Sequence, residues 1–260
     1  MGKIDKHPSA NATDEEVLAK GFSSIENRAK NGDVDAQYNL GVMYDRGDSV
    51  KRNYQKAFEW YSRAAAQNDS GAQNNLAVMY QNGQGIEQNY QKAFILYEQS
   101  AIQGYVSAQY NLGTMYDYGE GVKQDKQKAF EWYLKAAAQG HARAQYNLGI
   151  MYYYGEGVKQ DYQKAFEWYS KASAQDNAGA QTNLGAMYAN GEYVTQDYQK
   201  AFGLYLKSAT QDYDIAQYNL GVMYENGQGV GQDYQKALEW YSKAAAQGYT
   251  KAEEALKRLK

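Results

Sequence analysis

The stretch AQYNLGIMYYYGEG, Ala144–Gly157, decides the fold because it is one of six close variants in a 260-residue chain. The pair Ala-Gln stands at Ala36, Ala72, Ala108, Ala144, Ala180 and Ala216, and a degenerate Ala-Glu follows at Ala252, every step being 36 residues. Leu40, Leu76, Leu112, Leu148, Leu184 and Leu220 keep the same step, as do Tyr61, Tyr97, Tyr133, Tyr169, Tyr205 and Tyr241. All four tryptophans (Trp60, Trp132, Trp168 and Trp240) fall in one column, with Leu96 and Leu204 in the other two copies. A fixed period of this length marks an array of supersecondary units rather than a globular domain.

The apolar spacing within a unit reads as two helices. Ala36, Leu40, Met43 and Tyr44 follow i, i+4, i+7, i+8 on one face. Gly41 lies beside that face, where glycine costs about 1 kcal/mol in helix propensity. Its return in five of six copies predicts close backbone packing. Gly47 and its equivalents end this helix as left-handed caps. Asn53, Asn89, Asp125, Asp161, Asp197 and Asp233 are N-caps for the second helix. Tyr54, Ala57, Phe58, Tyr61, Ala64 and Ala65 then follow at helical spacing, large rings alternating with alanines.

One helical pair cannot bury both its apolar faces, so neighbouring units must stack. The expected fold is all-α: an α/α solenoid, a right-handed superhelix of six 36-residue helix-turn-helix repeats with capping helices. Residues 1–12 are expected to form a disordered tail. Residues 13–30 form an N-terminal capping helix, opened by a Thr13–Glu16 capping box and carrying Phe22, Ile25 and Ala29 one period before Phe58, Tyr61 and Ala65. Residues 31–251 are six repeats in one solenoid domain, and 252–260 a polar C-terminal capping helix.

Composition narrows the function. With 22% charged and 43% hydrophobic residues the chain is neither disordered nor membrane-embedded. A net charge of −3 gives no basic excess for nucleic acid. No apolar run nears the roughly 18 residues that span a bilayer. There is no cysteine, hence no disulfide, thiolate zinc site or cysteine nucleophile. The N-terminus lacks the apolar segment of a signal peptide, and Lys6 breaks the myristoylation pattern. Localisation stays open: cytoplasmic as written, periplasmic or envelope if an export signal was trimmed. A monomer is expected.

The unit A-Q-Y-N-L-G-x-M-Y-x-x-G-x-G-V-x-Q-D-Y-x-K-A-F-E-W-Y-x-K-A-A-A-Q resembles the Sel1-like repeat, a relative of the tetratricopeptide repeat with a longer turn between its helices. The likeness covers about residues 31–251. It implies first helices lining a concave groove and non-enzymatic work as a scaffold or adaptor for another protein or peptide. Some bacterial members neutralise secreted toxins, so an immunity-type inhibitor is the alternative. The absence of cysteine sets this chain apart from the cysteine-rich branch of the family that was linked to penicillin binding.

By that likeness, positions equivalent to 35, 38, 42, 45 and 46 face the groove, bordered by a column of asparagines. Repeats 2 and 5 are bland there, with small and amide side chains. The middle is not. Repeat 3 offers Tyr110, Thr114, Asp117 and Tyr118, and repeat 4 offers Arg143, Tyr146, Ile150, Tyr153 and Tyr154. Tyr152 belongs to the core column, whereas Tyr153 and Tyr154 are surplus to packing. Tyrosine and arginine are enriched at binding hot spots, so Tyr110, Tyr118, Arg143, Tyr146, Ile150, Tyr153 and Tyr154, with Asn111 and Asn147, form the candidate partner site. Shielding of the inter-helix seam is the competing reading of the tyrosines. For the asparagine column, bonds across adjacent helices are favoured over ligand binding.

No catalytic residue, metal site or cofactor is read. The two histidines are His7 in the tail and His141 in a turn, the latter read as an ordinary turn residue. No serine is followed three residues later by lysine. The glycine pairs such as Gly155 and Gly157 follow a helix and lack a phosphate-loop ending, so they are turns.

Overall fold

The computed structural model describes the backbone from Asp14 to Leu259 and side chains from Gly21 onward. Fourteen helices and no strand occur among the described residues. Helix α1 spans Asp14–Lys30. Six pairs follow: α2 (Val34–Arg46) with α3 (Tyr54–Ala66), α4 (Ser70–Asn82) with α5 (Tyr90–Ile102), and α6 (Val106–Tyr118) with α7 (Lys126–Ala138). Then come α8 (Ala142–Tyr154) with α9 (Tyr162–Ser173), α10 (Ala178–Asn190) with α11 (Tyr198–Ala209), and α12 (Asp214–Asn226) with α13 (Tyr234–Ala246), closed by α14 (Thr250–Leu259). These are the helical pairs of an α/α solenoid. The expected tail and the Thr13–Glu16 box lie outside the described residues.

Local chemistry sets the helix ends. Each second helix begins at the Asx residue named from sequence, whose side-chain oxygen accepts from the amide three residues on; Asn53 with Lys56 N is 3.0 Å. Each first helix ends at a left-handed glycine, such as Gly155 at φ 73°. In repeats 2 to 6 a glutamine in the following turn then donates to the carbonyl seven residues back, as Gln160 Nε2 does to Tyr153 O at 2.8 Å. This satisfies a carbonyl that the helix leaves open.

Packing explains the mid-helix glycine. A Cβ on Gly113 would stand 2.7 Å from Tyr133 Cδ1, and one on Gly185 would stand 2.8 Å from Tyr205 Cε1. In the five repeats that carry this glycine, the buried tyrosine of the second helix thus lies close against first-helix backbone. A second device is a row of buried glutamines. Gln67 donates to Gln37 Oε1 at 2.8 Å, and the same bond joins Gln103 to Gln73, Gln139 to Gln109, Gln175 to Gln145, Gln211 to Gln181 and Gln247 to Gln217. Each ties the end of a second helix to the first helix of its own pair.

Backbone contacts divide the chain into two units. One runs to Ala108 and takes in Glu120–Val122. In it Phe22 meets Tyr44 edge-on at 6.2 Å, and the core holds Ala29, Leu40, Tyr61, Leu76 and Met79. The other comprises Gln109–Gly119 and Lys123 onward. Its buried side chains include Tyr133, Leu148, Tyr169, Met187, Leu220 and Tyr241. At its end Ala252 and Ala255 are buried, and Arg258 forks onto the Glu225 carboxylate.

Candidate functional site

All nine residues singled out from sequence fall in the second unit, on α6 and α8. They do not behave alike. Tyr118 and Tyr154 hold equivalent positions in the last turns of α6 and α8, immediately before the capping glycines, and are 69% and 64% exposed. Arg143 is exposed, and Ile150 is half-buried against the core formed by Tyr152, Tyr169 and Met187.

Tyr153 is not surplus to packing. Its ring is half-buried in the same cluster and meets Tyr154 at 4.9 Å and Tyr162 at 5.1 Å, both edge-on. Its hydroxyl donates to Glu192 Oε2 at 2.6 Å. Sequence periodicity places Tyr153 off the core face, but a ring of this length folds back over the next pair of helices. Burial, then the Glu192 bond and charge, push its pKa well above the ordinary range, so it remains a donor.

Tyr110 and Tyr146 likewise belong partly to the seam. Tyr110 stacks on the His141 ring at 4.5 Å and tilts against Tyr133 at 5.8 Å. Tyr146 lies 6.1 Å from the Tyr169 ring and over Gly179, where an added Cβ would stand 2.8 Å from Tyr146 Cζ. Its hydroxyl interacts with Tyr213 and Asn183, and burial raises its pKa. His141 is the N-cap of α8: its Nδ1 accepts from Ala144 N at 3.2 Å. Burial, and then the Arg143 charge, hold its pKa below the ordinary histidine value of 6.5.

The asparagine column is engaged inside the array. Asn75 interacts with the Tyr61 hydroxyl, Asn147 with that of Tyr133, and Asn183 with those of Tyr169 and Tyr146. Asn111 is half-buried on α6. Tyr153, Tyr154, Tyr169, Asn183 and Ala186 line an open pocket with about 330 Å³ of space. The arrangement offers aromatic area and hydroxyl and amide donors. Among the described residues no group of three or more His, Asp or Glu side chains is placed to hold a metal, and no helix is long and apolar enough to cross a membrane.

Sequence reading missed two features. The buried glutamine row was present as the invariant Gln of A-Q-Y-N and the closing Gln of A-A-A-Q, and its signal was the fixed 30-residue offset between them. The exposed rings Tyr162 (41%) and Tyr193 (53%) flank Tyr153 and Phe166, at a distance along the chain that periodicity does not reveal.

Comparison with known proteins bears on this arrangement. The Sel1 repeat family description matches residues 34–69, 70–105, 106–141, 142–177, 178–213 and 214–249. The chain is similar to a protective antigen present in uropathogenic Escherichia coli strains and displaying an SLR fold, at 38% identity and TM-score 0.84 over 90% of this chain and 50% of that one. It spans half the length of that antigen. A Sel1 repeat protein from Oxalobacter formigenes is 31% identical with TM-score 0.62, covering 96% of this chain and 83% of that one. An immunity protein from Pseudomonas aeruginosa is 25% identical with TM-score 0.51, over 84% and 81%. A putative sel1-like repeat-containing protein of Acanthamoeba polyphaga mimivirus is 51% identical over 41 residues, 16% of this chain and 7% of that protein. Repeats of this kind make a scaffold suited to protein–protein interaction. Matched without a break through six consecutive units, the chain belongs to the Sel1 repeat family.

Proposed function

We propose that the chain is a non-enzymatic scaffold that holds a partner protein or peptide on the first-helix face of repeats 3 and 4. The observation that carries this reading is the pair Tyr118 and Tyr154: equivalent, successive and each about two-thirds exposed. Rings so placed contribute little to the core, whereas large, stiff, amphipathic side chains anchor interfaces. Arg143, the half-buried Tyr146, Tyr153 and Ile150, and the Asn183 pocket support them from below.

The test is affinity capture from a lysate of the encoding organism, with wild type compared to Tyr118→Ala/Tyr154→Ala at unchanged helicity. A protein captured by wild type and lost by the variant supports the reading. Equal retention overturns it and moves the search to other faces.

A second reading, an immunity-type inhibitor of a toxin enzyme, is favoured by the likeness to the Pseudomonas immunity protein. The two differ in what binds. A scaffold groove takes short peptides with micromolar affinity, whereas an inhibitor needs the folded enzyme and holds it in the nanomolar range or tighter.

A further inference from the structure

Two residues before the capping glycine, the first helices of repeats 1, 2, 3 and 6 carry a side chain that accepts from the buried tyrosine of their own repeat. In repeat 4 the residue is Tyr153, and Tyr169 interacts with Asn183 instead. Gln81 Oε1 accepts from the Tyr97 hydroxyl at 2.8 Å, Asp117 Oδ2 from Tyr133 at 3.2 Å, and Glu225 Oε2 from Tyr241 at 2.6 Å. Asp45 accepts from Tyr61 in the same way. The residue 39 positions further on adds a second contact: Gln81 Nε2 donates to Glu120 Oε2 at 3.2 Å, and Tyr153 donates to Glu192.

Repeat 5 breaks the pattern. The position is Ala189, whose methyl cannot accept a hydrogen bond from Tyr205. Tyr205 is only 5% exposed, and among the described residues no side chain receives its hydroxyl. Ala189, Tyr198, Tyr205, Asn219 and Gln228 instead line an open pocket with about 510 Å³ of space. Asn219 belongs to the column that serves the buried tyrosines elsewhere, and Gln228 lies 39 residues after Ala189. The equivalents of the two residues that bind Gln81 in repeat 2, Tyr205 for Tyr97 and Gln228 for Glu120, therefore both line this pocket.

Charge selects the missing partner. Where the acceptor is a carboxylate, a cation accompanies it: Arg46 and Arg52 at Asp45, Lys126 at Asp117, Arg258 at Glu225. Where the acceptor is the neutral Gln81, the charge acting on its tyrosine is that of Glu120. Tyr205 matches the second case, since the charge acting on it is that of Glu192. No cation lines the pocket. The Glu192 oxygens already accept from Tyr153 and, at 3.2 Å, from Asn190 Nδ2.

We propose that the Ala189 pocket is a subsite for a carboxamide side chain, Gln or Asn, presented by the partner polypeptide and seated where Gln81 sits in repeat 2. Its carbonyl accepts from Tyr205, and its amide donates to the Gln228 carbonyl. This rests on the scaffold reading for its source, but its chemistry is read on the chain alone.

The experiment titrates the full chain with N-acetyl-glutamine methylamide, following the side-chain amide signals of Asn219 and Gln228 by NMR, each assigned by substitution. Saturable shifts are expected. They should be lost in Ala189→Gln, which fills the pocket from within, and weakened several-fold in Tyr205→Phe at unchanged helicity. Blocked glutamate should bind several-fold more weakly. Equal shifts with blocked glutamate, unchanged shifts in Ala189→Gln, or no saturable shift overturns the proposal. Binding of free glutamine without binding of the blocked form overturns it too, because the source would then be a small molecule. A negative result here leaves the Tyr118/Tyr154 capture untouched, and failure of that capture leaves these titrations standing, so the two readings fail separately.

Discussion

The two ends of each first helix follow opposite rules. Near the N-terminus the same glutamine recurs from Gln37 to Gln217, always buried and always paired with a second glutamine 30 residues on. Near the C-terminus the equivalent residues are Asp45, Gln81, Asp117, Tyr153, Ala189 and Glu225. A buried amide without its partner costs about 1–3 kcal/mol, so the first position has little freedom. The second lies at the solvent edge, where water can replace a lost bond. Architecture is held at one end of the helix, which leaves the other end free to vary from repeat to repeat.

This contrast can be broken most severely at the constant end. Gln145→Leu removes two bonds, one from Gln175 and one to Ala137 O at 3.2 Å. A loss of about 2 kcal/mol is expected, read as a lower denaturant midpoint. The variable end sharpens it with a matched pair. Tyr241→Phe loses a hydroxyl bonded to the Glu225 carboxylate and should cost about 1.5 kcal/mol. Tyr205→Phe should change stability by less than about 0.5 kcal/mol, because no side chain is lost to it. Equal costs would show that the acceptor position is not what distinguishes the repeats.

A smaller effect separates α8 from α10, which are capped by His141 and Asn177. Nδ1 of His141 accepts a backbone bond only while unprotonated. Its folded pKa lies below 6.5, so this contribution is complete above the unfolded value and disappears as pH falls through the folded one. Up to about 1 kcal/mol, the worth of a cap, should be lost on acidification from neutral pH. His141→Asn should flatten that dependence in denaturation curves collected across the range. The smallest effect belongs to Tyr154→Ala, expected within about 0.5 kcal/mol of wild type by thermal or chemical unfolding. A larger loss would assign that ring to packing and weaken its case as a binding anchor.

Much of this was legible in the residues. A strict 36-residue step, helical spacing in each half, Asx caps and left-handed glycines left one class of fold, because helical pairs with two apolar faces must stack. The return of Gly41 forecast close packing at the helix backbone, which the structure fills with the Tyr61 ring. The site was legible only as a set of columns. Tyr153 and Tyr154 are neighbours in sequence with the same composition signal, yet one is bonded to Glu192 and the other is exposed.

By itself, then, the sequence determined the repeat, the helix boundaries and the core columns, since these follow from spacing and local backbone chemistry within one unit. Tertiary structure alone decided which tyrosines were free, that Gln37 and its equivalents form a buried row, and that Ala189 opens a pocket onto Tyr205. Those outcomes depend on where a side chain from one helix meets groups 30 or 39 residues away, and such a meeting is set by how the helices pack rather than by any period along the chain.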